Sequence, residues 1–258
     1  MSWSLASWNV LADAYLRPAW YRGVDPARLD PAWRGPAVVR RAAGLAADVL
    51  CLQEVEAARF EALQAALEPL GHAGRLLLKT GRPDGCATFL RRPLRLLDCR
   101  EVRYPDGLSE QGEAGHVALL LILEHEGRRL GVANTHLRWA APELAPSEHV
   151  GVRQAGFLRE ALAQERGVEA WAVCGDLNAT PGSDVLGVLT GAGLVDPWGV
   201  GAAPATCVAN ARARRIDYVL HTASLSARPW PVPPLADATL LPALDEPSDH
   251  VPIGVSFE

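Results

Sequence analysis

The sequence predicts an α/β fold in which two packed β-sheets carry helices on their outer faces. Three observations lead there. Strand-like apolar runs near 74–79, 86–91 and 94–103, and again near 116–124 and 129–135, follow one another with no helix between them, which does not suit a doubly wound sheet. Helical spacing of apolar residues is confined to a few segments, enough to cover outer faces but not to build a bundle. No internal repeat appears and no linker has the composition of a boundary, so residues 1–258 read as one domain.

The elements follow in order. Trp3 to Val10 alternates imperfectly and reads as an opening strand, ending in a loop at Asn9 and Ala12-Asp13. Residues 13–36, rich in Pro, Trp, Arg and Tyr, are expected to be irregular. Val38, Ala42, Leu45 and Ala46 fit a helix over Ala37–Ala47, and Val49–Leu52 is a short buried strand. Phe60, Leu63, Leu67 and Leu70 recur at helical spacing until Gly71 stops them. After the five strand runs, Val150, Phe157, Ala161 and Leu162 share one face of a helix over roughly 148–165, with Pro146-Ser147 as its start signal. A buried strand Ala170–Cys174, a short helix from about Ser183 and strands at 216–220 and 251–257 complete the order. Proline and glycine loops are expected over 196–210 and 229–247.

Composition narrows the function classes. The chain has 258 residues, 49% of them hydrophobic, which supports a sizeable core and excludes a low-complexity or disordered chain. No run of about 18 apolar residues is present, so no transmembrane helix is expected. The opening Met1–Asn9 lacks a basic region and a continuous apolar stretch, so no secretory leader is expected. Five cysteines (Cys51, Cys86, Cys99, Cys174, Cys207) are an odd number, and none forms Cys-x-x-Cys. That argues for a reducing, cytoplasmic compartment. The net charge of −5 makes the molecule no general nucleic-acid magnet. All of the 25 basic residues except Lys79 are arginine. Coding bias accounts for most of that, while the Arg212–Arg215 cluster and three Arg pairs are candidates for a local phosphate-binding rim.

The chemistry gathers where apolar strands end. Asn9 closes the first strand, and Gln53-Glu54 follows Val49–Leu52. The run at 129–135 ends in Asn134-Thr135-His136-Leu137, and Ala170–Cys174 in Gly175-Asp176-Leu177-Asn178. Arg215-Ile216-Asp217-Tyr218 opens one later strand and Ser248-Asp249-His250 precedes the last. Taken singly, each has a structural reading as a cap, a turn or a satisfied core histidine. Together they place six polar groups on loops at rigid strand ends, where functional groups collect. If Glu54, Asp176, Asp217 and Asp249 converge, two carboxylates about 4 Å apart repel by roughly 4 kcal/mol at an effective dielectric of 20. A cation is then required among them. Hard oxygen ligands without cysteine favour Mg²⁺ or Mn²⁺. Asn9 and Asn178 can donate to phosphate oxygens, and His136 and His250 supply acid–base or electrophilic groups.

These motifs resemble, in order, those of the endonuclease/exonuclease/phosphatase superfamily with its DNase I-like fold: Trp8-Asn9, Leu52-Gln53-Glu54, Thr135-His136-Leu137, Gly175-Asp176-Leu177-Asn178, Ile216-Asp217-Tyr218 and Ser248-Asp249-His250. Asn9–Asp13, Gln53–Glu56 with Phe60, Asp84-Gly85-Cys86-Ala87-Thr88-Phe89, Thr180–Ser183 and Pro247–Pro252 resemble the deadenylase branch that includes nocturnin, Angel and the carbon-catabolite-repression exonucleases. The resemblance implies a four-layer α/β sandwich of two mostly antiparallel sheets with the site at one end. It implies Glu54 as principal metal ligand and Asp249 as a further ligand, directly or through water. Asp176 would orient or deprotonate the attacking water or help hold a second metal. Asn178 and Asn9 would position the scissile phosphate, His136 would donate to its oxygens, and Asp217 would hold His250 and favour its charged form.

Other residues are set aside. Cys51 and Cys174 read as inert core and Cys86 as structural, and His72, His116, His125, His149 and His221 receive no role. Trp139 is a candidate to stack a base at the pocket rim, with packing the equal alternative.

The leading expectation is a Mg²⁺- or Mn²⁺-dependent phosphodiesterase acting at RNA ends, most simply a 3′-to-5′ exoribonuclease of deadenylase type. The alternative is a phosphatase for RNA-end or 2′,3′-cyclic phosphates or for a small nucleotide. A DNA-repair endonuclease fits less well without a basic tracking surface. A non-catalytic binding module fits less well because every acid, Asn and His of the set is present. The expected partner is an RNA 3′ end or a nucleotide phosphate ester. No membrane and no protein-docking region are expected, and the chain is expected to be a monomer.

Overall fold

In the computed structural model, residues 2–105, 115–199 and 203–258 are described. Part of the loop expected over 196–210, residues 200–202, lies outside them. The first half of the chain runs β1 (Trp3–Asn9), α1 (Pro31–Gly44), β2 (Val49–Glu56), α2 (Ala57–Leu67), β3 (His72–Leu78), β4 (Asp84–Arg91) and β5 (Arg95–Arg103). Next come β6 (Val117–His125), β7 (Arg128–His136), α3 (Val150–Gln164), β8 (Ala170–Asp176) and α4 (Asp184–Thr190). The remainder is strands only: β9 (Leu194–Val195), β10 (Cys207–Ala209), β11 (Arg212–Arg214), β12 (Asp217–Thr222), β13 (Ala227–Pro229) and β14 (Ile253–Phe257).

Two six-stranded sheets form, in the orders β13-β14-β1-β2-β4-β3 and β5-β6-β7-β8-β12-β9, with β10-β11 a separate hairpin. Each sheet has one parallel pair at its centre, β1 with β2 and β7 with β8. Their other pairings are antiparallel. The expected mostly antiparallel pair of sheets is therefore present.

Alternation along the strands builds the layers. Leu5, Val49, Cys51, Leu119, Leu121, Val132, Cys174 and Val255 point between the sheets and form one buried cluster. Their neighbours face outward. Trp8, Leu50, Leu52 and Phe89 pack with Val38, Leu63 and Leu67 of α1 and α2, while Leu120, Ile122, Val173 and Tyr218 pack with Leu158, Leu162 and Leu189 of α3 and α4. Helices on both outer faces bury the central strands on two sides, which is why those strands read as near-continuous apolar runs.

Among the boundaries that differ from the sequence reading, three have a clear physical reason. Helix α1 starts at Pro31 rather than Ala37, because Asp30 caps it by accepting from Ala32 N at 2.9 Å and Pro31 takes the first position, where a missing N–H leaves no bond unmade. Pro36 inside the helix makes that turn look like a loop in sequence. Helix α3 is capped by His149 rather than by Pro146-Ser147, its Nδ1 accepting from Val152 N at 3.3 Å. The hairpin β10–β11 begins inside the segment expected to be loop; its strands are three residues each, too short to show alternation.

Candidate active site

The parallel pairs decide where the polar ends go. Because β1 runs beside β2 with Asn9 opposite Gln53, and β7 beside β8 with His136 opposite Asp176, the four C-terminal ends gather at one end of the sandwich. Strand β12 runs antiparallel to β8, so its first residue Asp217 lies opposite Asp176. His250 lies just ahead of β14, pairs with Cys207, and its carbonyl accepts from Trp8 Nε1 at 2.9 Å.

Local backbone features aim these groups. A bulge between Leu52 and Val55 sets Glu54 at φ +58°, a left-handed conformation that non-glycine residues avoid except where surroundings impose it. Asn178 is likewise left-handed at φ +49°, its N–H bonded to Asp176 Oδ1 at 2.9 Å. Gly175, at φ +141°, lies so close to β7 that a Cβ would run into the Thr135 carbonyl oxygen, so the Gly-Asp pair is fixed by packing as well as chemistry.

One amide joins the sheets. Asn9 Oδ1 accepts from Leu11 N at 3.0 Å, which orients the amide so that Nδ2 donates to Glu54 Oε1 (3.1 Å) and to Asp176 Oδ2 (3.0 Å). Glu54 Oε2 takes the Ala12 N–H at 2.9 Å. Asp176 Oδ2 also lies 3.5 Å from His136 Nε2 and 3.8 Å from His250 Nε2. Asn178 Nδ2 donates to Leu137 O at 2.9 Å and sits 3.1 Å from His136 Nε2. Asp217 Oδ2 meets His250 Nδ1 at 2.9 Å and accepts from Thr206 Oγ1 at 2.6 Å, while Asp217 Oδ1 is buried without a hydrogen-bond partner. Thus Asn9, Glu54, His136, Asp176, Asn178, Asp217 and His250 form one connected cluster. Asp249 stands beside it, its Oδ2 accepting from Tyr21 OH at 3.2 Å. Trp139 is exposed and lines a cleft of about 700 Å³ that reaches Asn178.

Several functional neighbours gave no clear sequence signal. The buried ammonium of Lys79 donates to Asp84 Oδ2 at 2.6 Å and lies 3.3 Å from His136 Nδ1. Tyr15 OH donates to the same Asp84, and the ring of His116 meets His136 edge-on. The fully buried Arg34 grips Asp13 and the carbonyls of Val10, Leu11 and Pro247, tying the loop after β1 to the segment that carries Asp249. The available signal was compositional: a lone lysine in an arginine-rich chain sits where a compact ammonium fits beside a histidine.

Electrostatics separate the two histidines. Burial, followed by the Lys79 ammonium, holds His136 well below its ordinary value, so it is neutral. Burial is the largest influence on His250 and opposes its charge, but the Asp217 carboxylate, Cys207 and Asp176 together lift His250 well above the ordinary range, so it is an imidazolium. Burial and then Asp217 push Asp176 up to about 7, and burial raises Glu54. Two carboxylates on one amide, both pushed toward protonation, mark a site short of positive charge. Asp176, Asp217 and His250 each offer one ligand atom within 4.8 Å of the others. However, His250 Nδ1 and Asp217 Oδ2 are already bonded to each other. The acidic oxygen donors facing the cluster fit a hard divalent cation.

The profile of the endonuclease/exonuclease/phosphatase family matches residues 6–250. Protein angel homolog 2 of Danio rerio is 31% identical over 196 residues, covering 71% of this chain, and 2′,5′-phosphodiesterase 12 of Homo sapiens is 28% identical over 217 residues, covering 68%. The chain spans about one third of the length of these two relatives, 33% of each. The crystal structure of ANGEL2, a 2′,3′-cyclic phosphatase, superposes with a TM-score of 0.82 at 22% identity, over 100% of this chain and 95% of that one. That overlay identifies the sandwich as the DNase I-like fold. On its motifs, its fold and the span of the profile match, the chain belongs to the endonuclease/exonuclease/phosphatase family.

Proposed function

We propose that the protein is a divalent-metal-dependent phosphodiesterase acting on RNA ends, as a 3′-to-5′ exoribonuclease of deadenylase type. The observation that carries this is the single cluster in which Asn9 and Asn178, two amide donors, stand with three acids and two histidines of opposite charge state. Glu54, with Asp176 and with Asp249 alongside, would hold Mg²⁺ or Mn²⁺, which supplies charge neutralisation for the phosphate and a more acidic bound water. Asp176 takes a proton from the attacking water at its Oδ2 as the P–O bond to the departing ribose oxygen breaks, and that oxygen leaves with a proton drawn from solvent. His250, kept charged by Asp217, offers Nε2–H to a phosphate oxygen as negative charge grows there. Neutral His136 and the amide of Asn178 orient the phosphate. Trp139 stacks a base against the cleft at Asn178.

A second reading, a phosphatase for 2′,3′-cyclic or terminal phosphates of RNA, draws support from the likeness to ANGEL2, whose activity is of that kind. The five free thiols support action in a reducing compartment, the cytoplasm.

Purified protein with Mg²⁺ or Mn²⁺ and end-labelled RNAs carrying 3′-OH, 3′-phosphate or 2′,3′-cyclic ends separates the two. A ladder supports the exonuclease and a single end conversion supports the phosphatase. Activity that survives EDTA in full would overturn both.

A further inference from the structure

A second cleft, of about 390 Å³, opens on the far side of the β10–β11 hairpin from the cleft at Asn178. The two clefts share the hairpin as a wall: its turn, Asn210-Ala211, lines the second cleft, and Arg212 and Arg214 line the first. The hairpin is rooted on the candidate catalytic segment. Val208 N donates to Asp249 O at 2.9 Å, Val251 N to Thr206 O at 2.8 Å, and Cys207 pairs with His250. On its other side the second cleft is walled by Trp20, Tyr21 and Arg22, and Tyr21 OH reaches Asp249 Oδ2. Both walls of the cleft therefore touch Asp249, one through Val208 and the other through Tyr21.

We propose that this cleft is a second nucleoside site, taking a base of a single-stranded RNA on the opposite side of the hairpin from the base at Asn178. The proposal rests on the RNA-directed reading above. Its chemistry is that of a nucleobase. Trp20 leaves 60% of its surface exposed beside the cleft, a flat aromatic face of the kind that stacks a base without regard to sequence. Arg22 would donate to a backbone phosphate, and Asn210 and Asp237, whose Oδ1 accepts from Ala213 N at 2.8 Å, would read the base edge, while Val208 and Leu240 supply apolar lining. A strand whose scissile phosphate lies at the acidic rim carries nucleosides to both sides of it, and the hairpin offers one recess on each side.

The test is equilibrium binding of a 5′-fluorescein adenosine hexanucleotide RNA by anisotropy, with EDTA present so that no turnover intervenes. Trp20→Ala is expected to weaken binding about tenfold or more, and Trp20→Phe, which keeps an aromatic face, to stay within a few-fold of the unmodified protein. Unchanged melting temperatures show that both variants are folded. Equal binding by Trp20→Ala and the unmodified protein would overturn the site, as would a loss in Trp20→Phe as large as in Trp20→Ala. Hydrolysis of the same hexamer with Mg²⁺ reports separately: absent hydrolysis with intact, Trp20-dependent binding overturns the catalytic reading and leaves the nucleoside site standing.

Discussion

His136 and His250 stand at one rim, both buried and both within 4 Å of Asp176 Oδ2, yet their surroundings drive them to opposite charge states. Around His136 the nearest ionised partner is the Lys79 ammonium, itself committed to Asp84. Around His250 it is the Asp217 carboxylate, backed by Thr206. Burial penalises charge on either ring; the sign of the adjacent group decides whether that penalty is reinforced or overcome. One fold end can thus present a neutral imidazole and an imidazolium a few ångströms apart, two different tools for one phosphate.

The largest way to break this comparison is at Lys79. Lys79→Met leaves the fully buried Asp84 without its counter-charge, which typically costs about 3–5 kcal/mol. At roughly 2–4 °C per kcal/mol for a chain of this size, melting should fall by about 10 °C. Lys79→Met combined with Asp84→Asn should recover part of that loss. Full stability in the single variant would show that the ion pair does not hold this side of the site.

The other side is tested by activity. His250→Ala should lower kcat by about 10²–10³-fold, or roughly 3–4 kcal/mol, with KM changing less. Asp217→Ala should lower it too, and the double variant should be little worse than the worse single one, because Asp217 acts through His250. Single losses that multiply in the double variant would show that the pair is not a unit.

Asp217→Asn sharpens the contrast by keeping shape and removing charge. His250 is raised above its ordinary value chiefly against burial by Asp217, so its active imidazolium is lost as pH climbs through that raised value. Without the carboxylate the high-pH limb of kcat should move to lower pH. A limb that stays in place would mean that another group sets it.

The smallest effect is on stability without metal. Asp176 titrates near 7 in the folded protein, above its ordinary range, so the folded state holds this proton more tightly than the unfolded chain. Its stabilising contribution is full below the unfolded value near 3.8 and is lost as pH rises toward 7; raised Glu54 and His250 act with the same sign. His136, held low by burial, acts with the opposite sign over the same range, so the contribution of Asp176 is read as a difference. The melting temperature of the metal-free protein minus that of Asp176→Asn should fall from pH 5 to pH 8, and Mg²⁺ or Mn²⁺ should raise melting of the unmodified protein most at pH 8. A difference that stays constant or grows from pH 5 to pH 8 in EDTA would overturn this account.

How much was legible in the sequence follows from the range of each interaction. The run Val117–Leu123 is continuously apolar, the local signal of a strand buried on both faces, and so the strand was readable. Which residues face the other sheet (Leu119, Leu121, Leu123) and which face the helices (Leu120, Ile122) was decided by packing. The caps at Asp30 and His149 were not, because Pro31, Pro36 and the Pro146-Ser147 pair suggest breaks or starts that neighbouring turns override. Candidate acids and histidines were readable because each ends or opens a strand run; a parallel pair in each sheet gathers the strand ends at one side, and the antiparallel β12 brings its first residue, Asp217, to the same side.

What the sequence alone determined is the residue inventory and the strand ends that carry it: Asn9, Glu54, His136, Asp176, Asn178, Asp217 and His250 in motifs spread over the chain. Only the tertiary structure decided how they divide the work. The bulge at Glu54, the Asn9 amide shared between two sheets, and Lys79 beside His136 all depend on groups up to 167 residues apart. Charge state at a buried ring is set by whichever ion the fold brings within a few ångströms, and that distance is a property of packing, not of spacing along the chain.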